Sequence, residues 1–165
     1  MKVNRYYLEI NSLKNLNKVN SPNNNLILKK VFPPNIELNK FFYKNIGKKH
    51  RWIDRLAWDN LKWISYLENE NVSTFVLKIN EDLIGYFEVI LDKSIKSSEI
   101  AYFGILEEYQ NKKLGSFLLS YAIKKSFREN IERVWLHTCS LDHKNALNNY
   151  LARGMKIFKS EIVRI

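Results

Sequence analysis

The connection between two apolar segments constrains this chain more than any other feature. Residues 99–106 (EIAYFGIL) are apolar and aromatic like a buried strand, and apolar side chains recur at helical spacing from residue 114 to residue 122. The turn between them contains one glutamine, two lysines and one glycine: Gln110, Lys112, Lys113 and Gly115. Because the first N–H groups of a helix lack internal partners and lie at the positive end of its dipole, this turn suits a phosphate group.

The turn alone is a weak signal. It lacks the second glycine followed by Lys and Ser or Thr of a P-loop, and it lacks the three glycines of a dinucleotide fold. A basic helix start is also more often a solvated corner of the surface. Its interpretation therefore depends on the rest of the chain.

Length and composition fit one globular domain. The chain has 165 residues, of which 45% are hydrophobic. The net charge of +10 invites a nucleic-acid hypothesis, but the lysines greatly outnumber the arginines and are scattered singly or in pairs. This distribution disfavours a nucleic-acid surface, although a basic rim can steer an anionic cofactor to its cleft.

The sequence predicts a cytoplasmic protein. No apolar run approaches the roughly 18 residues of a membrane span, and the first ten residues alternate like a strand rather than resembling a signal peptide. The single cysteine, Cys139, has no internal disulfide partner, which agrees with a reducing compartment.

The order of the predicted elements indicates a mixed α/β (α+β) fold. Strands are predicted over 3–10, 26–32, 72–79, 83–91, 97–106, 131–139 and 155–163. Helices are predicted twice between residues 37 and 69 with a break near Gly47, and over 114–130 and 143–153. The three strands from 72 to 106 should form an antiparallel meander. The strands around the 114–130 helix should be parallel through a right-handed crossover, with ligands beyond their carboxyl ends.

Two motifs give the chain a resemblance to the GNAT superfamily of acyl-CoA-dependent N-acetyltransferases. The family's pyrophosphate turn reads Arg or Gln, two residues, Gly, one residue, then Gly or Ala, and Gln110, Lys113 and Gly115 occupy those positions. Residues 145–155 (NALNNYLARGM) are similar to the family's helix ending in Tyr, three residues, Gly and an apolar residue. The resemblance covers about residues 72–162. Within it, residues 137–143 (HTCSLDH) are similar to the same segment in an uncharacterised bacterial subgroup of the family.

The resemblance implies a single domain with a mixed sheet of about six to seven strands and helices on both faces. Residues 1–71 would form the acceptor side, and residues 72–165 the acetyl-CoA-binding core. The implied cosubstrate is acetyl-CoA, without a metal, in a monomer or homodimer. The implied cofactor contacts are Phe103, Gly104, Ile105, Gln110, Asn111, Lys112, Lys113, Leu114, Gly115, Ser116 and Asn145. Lys113 departs from the family's glycine, and we expect it to keep an ordinary helical φ.

Amide formation from a thioester requires a neutral amine and a stabilised leaving thiolate. An alkyl ammonium with a pKa of about 10.4 must lose its proton to a base or a water chain. The candidate bases are Glu99, whose pKa would rise in apolar surroundings, and His137, with Glu99 favoured and His137 assisting through water. The alternative interpretation of each residue is a partly buried, hydrogen-bonded side chain with a structural role. By similarity, Tyr150 would give its proton or a hydrogen bond to the thiolate.

The acceptor site is expected on the early helices, at Trp52, Asp54 and Arg55 with Trp58 nearby. Asp54 would attract an ammonium and a tryptophan would stack on it. The alternative is an amphipathic helix with Trp in the core and a local Asp54–Arg55 ion pair. His137, Cys139 and His143 have an H-x-C-x3-H spacing that zinc ligands also show, but no second pair is near and we expect no metal.

The resemblance therefore implies an N-acetyltransferase. It would transfer acetyl from acetyl-CoA to a primary amine of a small molecule or peptide by direct attack in a ternary complex. One alternative is a GNAT-fold module that binds CoA without turnover. The other is a basic nucleic-acid-binding protein, whose binding would fall steeply with salt.

Overall fold

Strands and helices alternate much as the sequence patterns predict. The structure, a computed structural model, describes residues 1–128 and 130–165. The strands are β1 (Lys2–Ile10), β2 (Leu26–Lys30), β3 (Val72–Ile79), β4 (Asp82–Asp92), β5 (Ser97–Ile105), β6 (Arg133–Cys139) and β7 (Lys156–Arg164). The α-helices are α1 (Ile36–Gly47), α2 (Asn60–Leu67), α3 (Leu114–Ser126) and α4 (Ala146–Ala152).

Two helices are shorter than predicted. The helix predicted over 114–130 ends at Ser126, and residue 129 lies outside the described residues. The helix predicted from 143 begins at Ala146. Its predicted first turn is instead held in a tighter conformation, in which the Asn145 N–H donates to His143 Nδ1 over 3.1 Å.

The residues predicted to bind the acceptor, Trp52, Asp54 and Arg55, lie in the connection between α1 and α2 and not on a helix as predicted. Residues 48–59 form turns and not a helix. A Cβ on Gly47 would lie only 2.5 Å from Trp52 Cβ, so the chain folds back on itself where α1 ends. The Asp59 side chain then caps α2 by accepting from the Lys62 N–H over 2.8 Å.

All the strands belong to one mixed sheet, in the order β2-β3-β4-β5-β6-β1-β7. The meander β3-β4-β5 is antiparallel as predicted. Strands β5 and β6, which α3 connects in the sequence, are parallel neighbours in the sheet. The first strand is antiparallel to both β6 and β7, so it separates the last two strands of the chain. No local pattern predicts this position.

The parallel pair is short, and this opens the sheet. Strands β5 and β6 pair only where Ser97–Glu99 meets 133–135, and they part beyond Glu99. On its other side β5 carries an irregularity, since Glu88 pairs with Tyr102 while Val89 pairs with Ile100. Among residues 1–128 and 130–165, the carboxyl-terminal half of β5 therefore pairs with β4 alone.

Helices cover both faces of the sheet, as expected. On one face Phe87 packs in a core with Leu118 of α3 and Tyr150 of α4. On the other, Phe42 of α1 stacks on Tyr86 with a ring separation of 4.7 Å. Consecutive residues of β4 thus point to opposite faces. No helix in residues 1–128 and 130–165 is long and apolar enough to cross a membrane.

Candidate active site

A cavity of about 740 Å³ occupies the gap where β5 and β6 part. It runs from the turn before α3, past the start of α4, to the connection between α1 and α2. All the predicted catalytic, cofactor and acceptor residues line it except Lys112 and Leu114. The Lys112 ammonium instead lies 5.7 Å from the Tyr109 ring centre, and Leu114 is buried in the core.

The turn before α3 contains two residues with a left-handed backbone conformation. Asn111 has φ 64° and Lys113 has φ 63°. The expectation of an ordinary helical φ at Lys113 is therefore wrong, because the chain enters α3 through this conformation. A left-handed residue with a side chain costs about 1–2 kcal/mol, although asparagine tolerates it better. The N-cap position, Lys113, provides no side-chain cap, so it leaves the N–H groups at the start of α3 directed at the cavity end.

Neighbouring elements hold this turn in place. Gln110 Nε2 donates to the Ile105 carbonyl oxygen over 3.2 Å, and Asn149 Nδ2 donates to the Gly115 carbonyl oxygen over 3.2 Å. A Cβ added at Gly115 would meet only Asn149 Nδ2, at 3.9 Å. The glycine therefore leaves open space for a ligand rather than relieving a clash within the protein.

Tyr150 lies on α4 between the core and the cavity. It is 7% exposed, and its ring meets the Phe103 ring edge to face with 6.4 Å between centres. Burial raises the pKa of Tyr150 above its ordinary value, and Asp142 adds to this effect. The hydroxyl therefore keeps its proton at neutral pH.

Glu99 and His137 lie on adjacent strands at the point where these part. Glu99 is opposite Trp135, and His137 is two residues further along the same face of β6. Burial raises the pKa of Glu99, and the nearby Arg55 acts in the opposite direction. His137 is open to solvent in the cleft, but the surrounding protein, together with Arg5, lowers its pKa against the effects of Asp142 and Asp54.

The end of the cavity at the connection between α1 and α2, where the sequence predicts the acceptor, is built around Asp54. Its carboxylate accepts from the Tyr102 hydroxyl at 2.5 Å and 2.6 Å, and from the Tyr43 hydroxyl at 2.9 Å. Trp52 packs edge to face on Tyr102 with 4.8 Å between ring centres. Two hydroxyl donors thus fix the orientation of this carboxylate.

Arg55 does not pair with Asp54, so the predicted local ion pair is wrong. Its Nη1 donates to the Glu88 carboxylate at 2.9 Å and 3.2 Å. Glu88 also accepts from the Tyr66 hydroxyl at 2.6 Å and from Asn39 Nδ2 at 2.9 Å. Arg55 lines the cavity, but its charge is already neutralised by Glu88. The one sequence signal for Glu88 is an acidic residue inside an apolar strand.

Asp142 is a second residue that the sequence patterns did not single out. Its carboxylate accepts from the Thr138 hydroxyl and from the Cys139 N–H, the latter over 3.0 Å. These bonds turn the chain between β6 and α4. His143 lies against His50, with 6.2 Å between ring centres. Within the described ranges, no three His, Cys, Asp or Glu side chains are grouped so that they could hold a metal ion.

Residues 35–155 match the acetyltransferase (GNAT) family. This match spans most of the chain, and the protein therefore belongs to that family. Its core carries the acyltransferase fold that the turn and the Tyr150 helix predict. No curated protein sequence matches the chain.

Solved structures with this fold are distant in sequence. A functionally unknown conserved protein from Staphylococcus epidermidis is 20% identical with a TM-score of 0.68, over 98% of this chain and 60% of that one. A GCN5-related N-acetyltransferase from Kribbella flavida is 15% identical with a TM-score of 0.67, over 97% and 56%. The chain thus spans little more than half the length of these two proteins.

A third similar structure is closer in length. It is an aminoglycoside acetyltransferase from an uncultured soil metagenomic sample, solved in complex with trehalose. It is 13% identical with a TM-score of 0.67, over 81% of this chain and 90% of that one. At such low sequence identities, the similarity to these structures shows a shared fold alone.

Proposed function

We propose that this protein transfers the acetyl group of acetyl-CoA to a primary amine by direct attack. One observation carries the proposal: a single cavity joins the uncapped start of α3, the parted strands, Tyr150 and the carboxylates of Glu99 and Asp54. The first part of this cavity suits the cosubstrate. The last part suits a cationic acceptor.

The pyrophosphate of CoA would bind at the turn before α3. Its partners would be the free N–H groups around Gly115 and Ser116, with the charge of Lys113 beside them. The pantetheine arm would then follow β5 from Phe103 to Ile105, since that edge of the strand has no partner in β6. Asn145, at the start of α4, lines the same cavity.

The reaction would form one bond and break another at the thioester carbon. The neutral amine nitrogen attacks the carbonyl carbon, and the carbon–sulfur bond then breaks to release the CoA thiolate. The acceptor ammonium first loses one proton to Glu99, directly or through water beside His137, and the nitrogen loses its second proton to solvent once the carbon–nitrogen bond has formed. A raised pKa makes Glu99 a stronger base than an exposed carboxylate, and a lowered pKa leaves His137 neutral at pH 7.

The high pKa of Tyr150 suggests how it would act. A thiol has an ordinary pKa of about 8.5, whereas the phenol starts from about 10 and burial raises it further. Full proton transfer to the thiolate is therefore unfavourable. Tyr150 would stabilise the thiolate by donating a hydrogen bond, and the thiolate would take its proton from water.

Release of the CoA thiol tests this function. The protein is mixed with acetyl-CoA and a panel of primary amines, and free thiol is measured against time, with Tyr150→Phe as the matched control. Amine-dependent thiol release that is much slower in Tyr150→Phe supports the proposal. Tight CoA binding without release for any amine would favour a CoA-binding module instead.

A further inference from the structure

Arg5 lies in the wall of the cavity without an ionic partner. It is half-buried on β1, and its Nε has no hydrogen-bond partner among residues 1–128 and 130–165. Within the same residues, no carboxylate oxygen lies within 4.0 Å of its guanidinium. Glu161, directly opposite Arg5 in the β1–β7 pair, accepts from the Tyr7 hydroxyl over 2.6 Å, and Arg5 acts on it only at longer range by helping to lower its pKa.

The surroundings of Arg5 differ from those of the other buried guanidinium in the cavity. Arg55 is held by Glu88, so its charge is satisfied within the protein. A buried guanidinium N–H without a partner is unfavourable unless a ligand completes its hydrogen bond, and in Arg5 this applies to Nε. Its planar fork of N–H donors matches a carboxylate, which it can bind through two parallel bonds.

Arg5 also lies close to the proposed reacting groups. It is directly opposite Cys139 in the β1–β6 pair, so the two side chains share one face with His137. Arg5 and Asp54 both affect the pKa of His137, in opposite directions because their charges are opposite. Arg5, His137, Asp54 and Glu99 all line the same cavity, which therefore offers both a guanidinium and carboxylates to one ligand.

We propose that the acceptor is an amine that carries a carboxylate, of the free amino acid class. Its carboxylate pairs with Arg5 while its amino group faces Glu99 and Asp54. This inference rests on the proposed function, because it names the acceptor of the same reaction. It also adds Arg5 as a residue that determines specificity.

The test compares acceptors that differ only in the carboxylate. Each L-amino acid is paired with its own amide, and kcat/KM is measured for wild type and Arg5→Met. We expect the amino acids to exceed their amides by about 10- to 100-fold, the usual range for a hydrogen-bonded charge. Arg5→Met should abolish this preference, mainly by raising KM for the amino acid, and Arg5→Lys should keep part of it.

Two controls separate binding from folding. Arg133→Met removes a half-buried arginine of the same sheet that pairs with Glu9 outside the cavity, and it should leave the preference intact. Acetyl-CoA affinity should be equal in wild type and Arg5→Met. Equal rates with amino acids and amides, or equal losses for both in Arg5→Met, would overturn the inference.

Failure of the proposed function gives a different result. If no acceptor releases thiol, calorimetric titration of L-amino acids and their amides into the CoA-saturated protein still tests the Arg5 site. Amino acids should bind more tightly than amides in wild type only. Tighter binding of phosphoethanolamine than of any amino acid would identify Arg5 as a phosphate site and contradict the carboxylate assignment.

Discussion

Arg55 and Glu88 form an ion pair inside the protein, with Nη1 at 2.9 Å and 3.2 Å from the two carboxylate oxygens. The two residues are 5% and 0% exposed. The guanidinium also lies 4.2 Å from the Tyr102 ring centre and 4.3 Å from that of Tyr66. Since the Tyr102 hydroxyl donates to Asp54, the pair supports the part of the cavity wall that contains Asp54.

Glu88→Gln should destabilise the fold strongly. The glutamine keeps the shape of the side chain but leaves the Arg55 charge unpaired, which costs about 3–5 kcal/mol in buried ion pairs. Urea unfolding measures the loss. Lys49→Ala, which removes an exposed ion pair with Glu107, should hardly change the free energy of unfolding. A Glu88→Gln protein as stable as wild type would contradict the structural role of the pair.

Lys113→Gly and Lys113→Ala separate backbone strain from charge. Both remove the ammonium, but only glycine adopts a φ of 63° without steric cost. The unliganded glycine variant should therefore be more stable than the alanine variant, by about 1 kcal/mol. Urea unfolding without ligand measures this difference. Equal stability would show that Lys113 does not have a left-handed backbone.

Tyr150→Phe should lower turnover while leaving CoA binding intact. The substitution removes only the hydroxyl, and the ring keeps its contact with Phe103. General acid groups contribute about 10²–10⁴-fold to rate, and a hydrogen bond to the thiolate belongs at the lower end of that range. Steady-state kcat and the dissociation constant for CoA are the two measurements. An unchanged kcat would remove Tyr150 from the mechanism.

The pH dependence of kcat/KM should report the raised pKa of Glu99. The carboxylate becomes an active base only as pH rises through that pKa, so the acid limb should lie above the ordinary value of 4.5. Glu99→Gln should remove this limb and slow the reaction, whereas His137→Gln should keep the limb at reduced rate. Loss of the limb in His137→Gln alone would make His137 the base.

The same group links folding to pH. The folded protein holds the Glu99 proton more tightly than the unfolded chain does, so the contribution of Glu99 to stability is complete below 4.5 and is lost as pH rises through the raised pKa. Replacing Glu99 with Gln should therefore improve stability more at pH 8 than at pH 4. The opposite order in urea unfolding would show that the carboxylate is stabilised in its charged form.

Local patterns predicted the parts of the fold that depend on neighbouring residues. The crossover from β5 through α3 to β6 follows from apolar spacing within each segment, and Tyr150 was singled out by the resemblance of residues 145–155 to the family's helix motif. These features need no information about distant parts of the chain. They also place most of the cavity lining.

Features that depend on contacts between residues far apart in the sequence were not predicted. The first strand lies between β6 and β7, and nothing within residues 2–10 encodes which strands it joins. Arg55 pairs with Glu88, which is 33 positions away in the sequence, and not with its neighbour Asp54 as the local ion pair required. The φ of Lys113 depends on how the chain must turn into α3, and residue type alone favours the opposite conformation.

Thermal unfolding with acetyl-CoA tests the central claim most directly, namely that the cavity between β5 and β6 binds this cosubstrate. A ligand at one hundred times its dissociation constant stabilises the native state by about 2.7 kcal/mol. Gly115→Val is the matched variant, because its side chain enters open space beside Asn149 and should block the pyrophosphate without unfolding the protein. We predict a higher melting temperature with millimolar acetyl-CoA in wild type and a much smaller rise in Gly115→Val. An unchanged melting temperature in wild type, or an equal rise in both proteins, would contradict the assigned site.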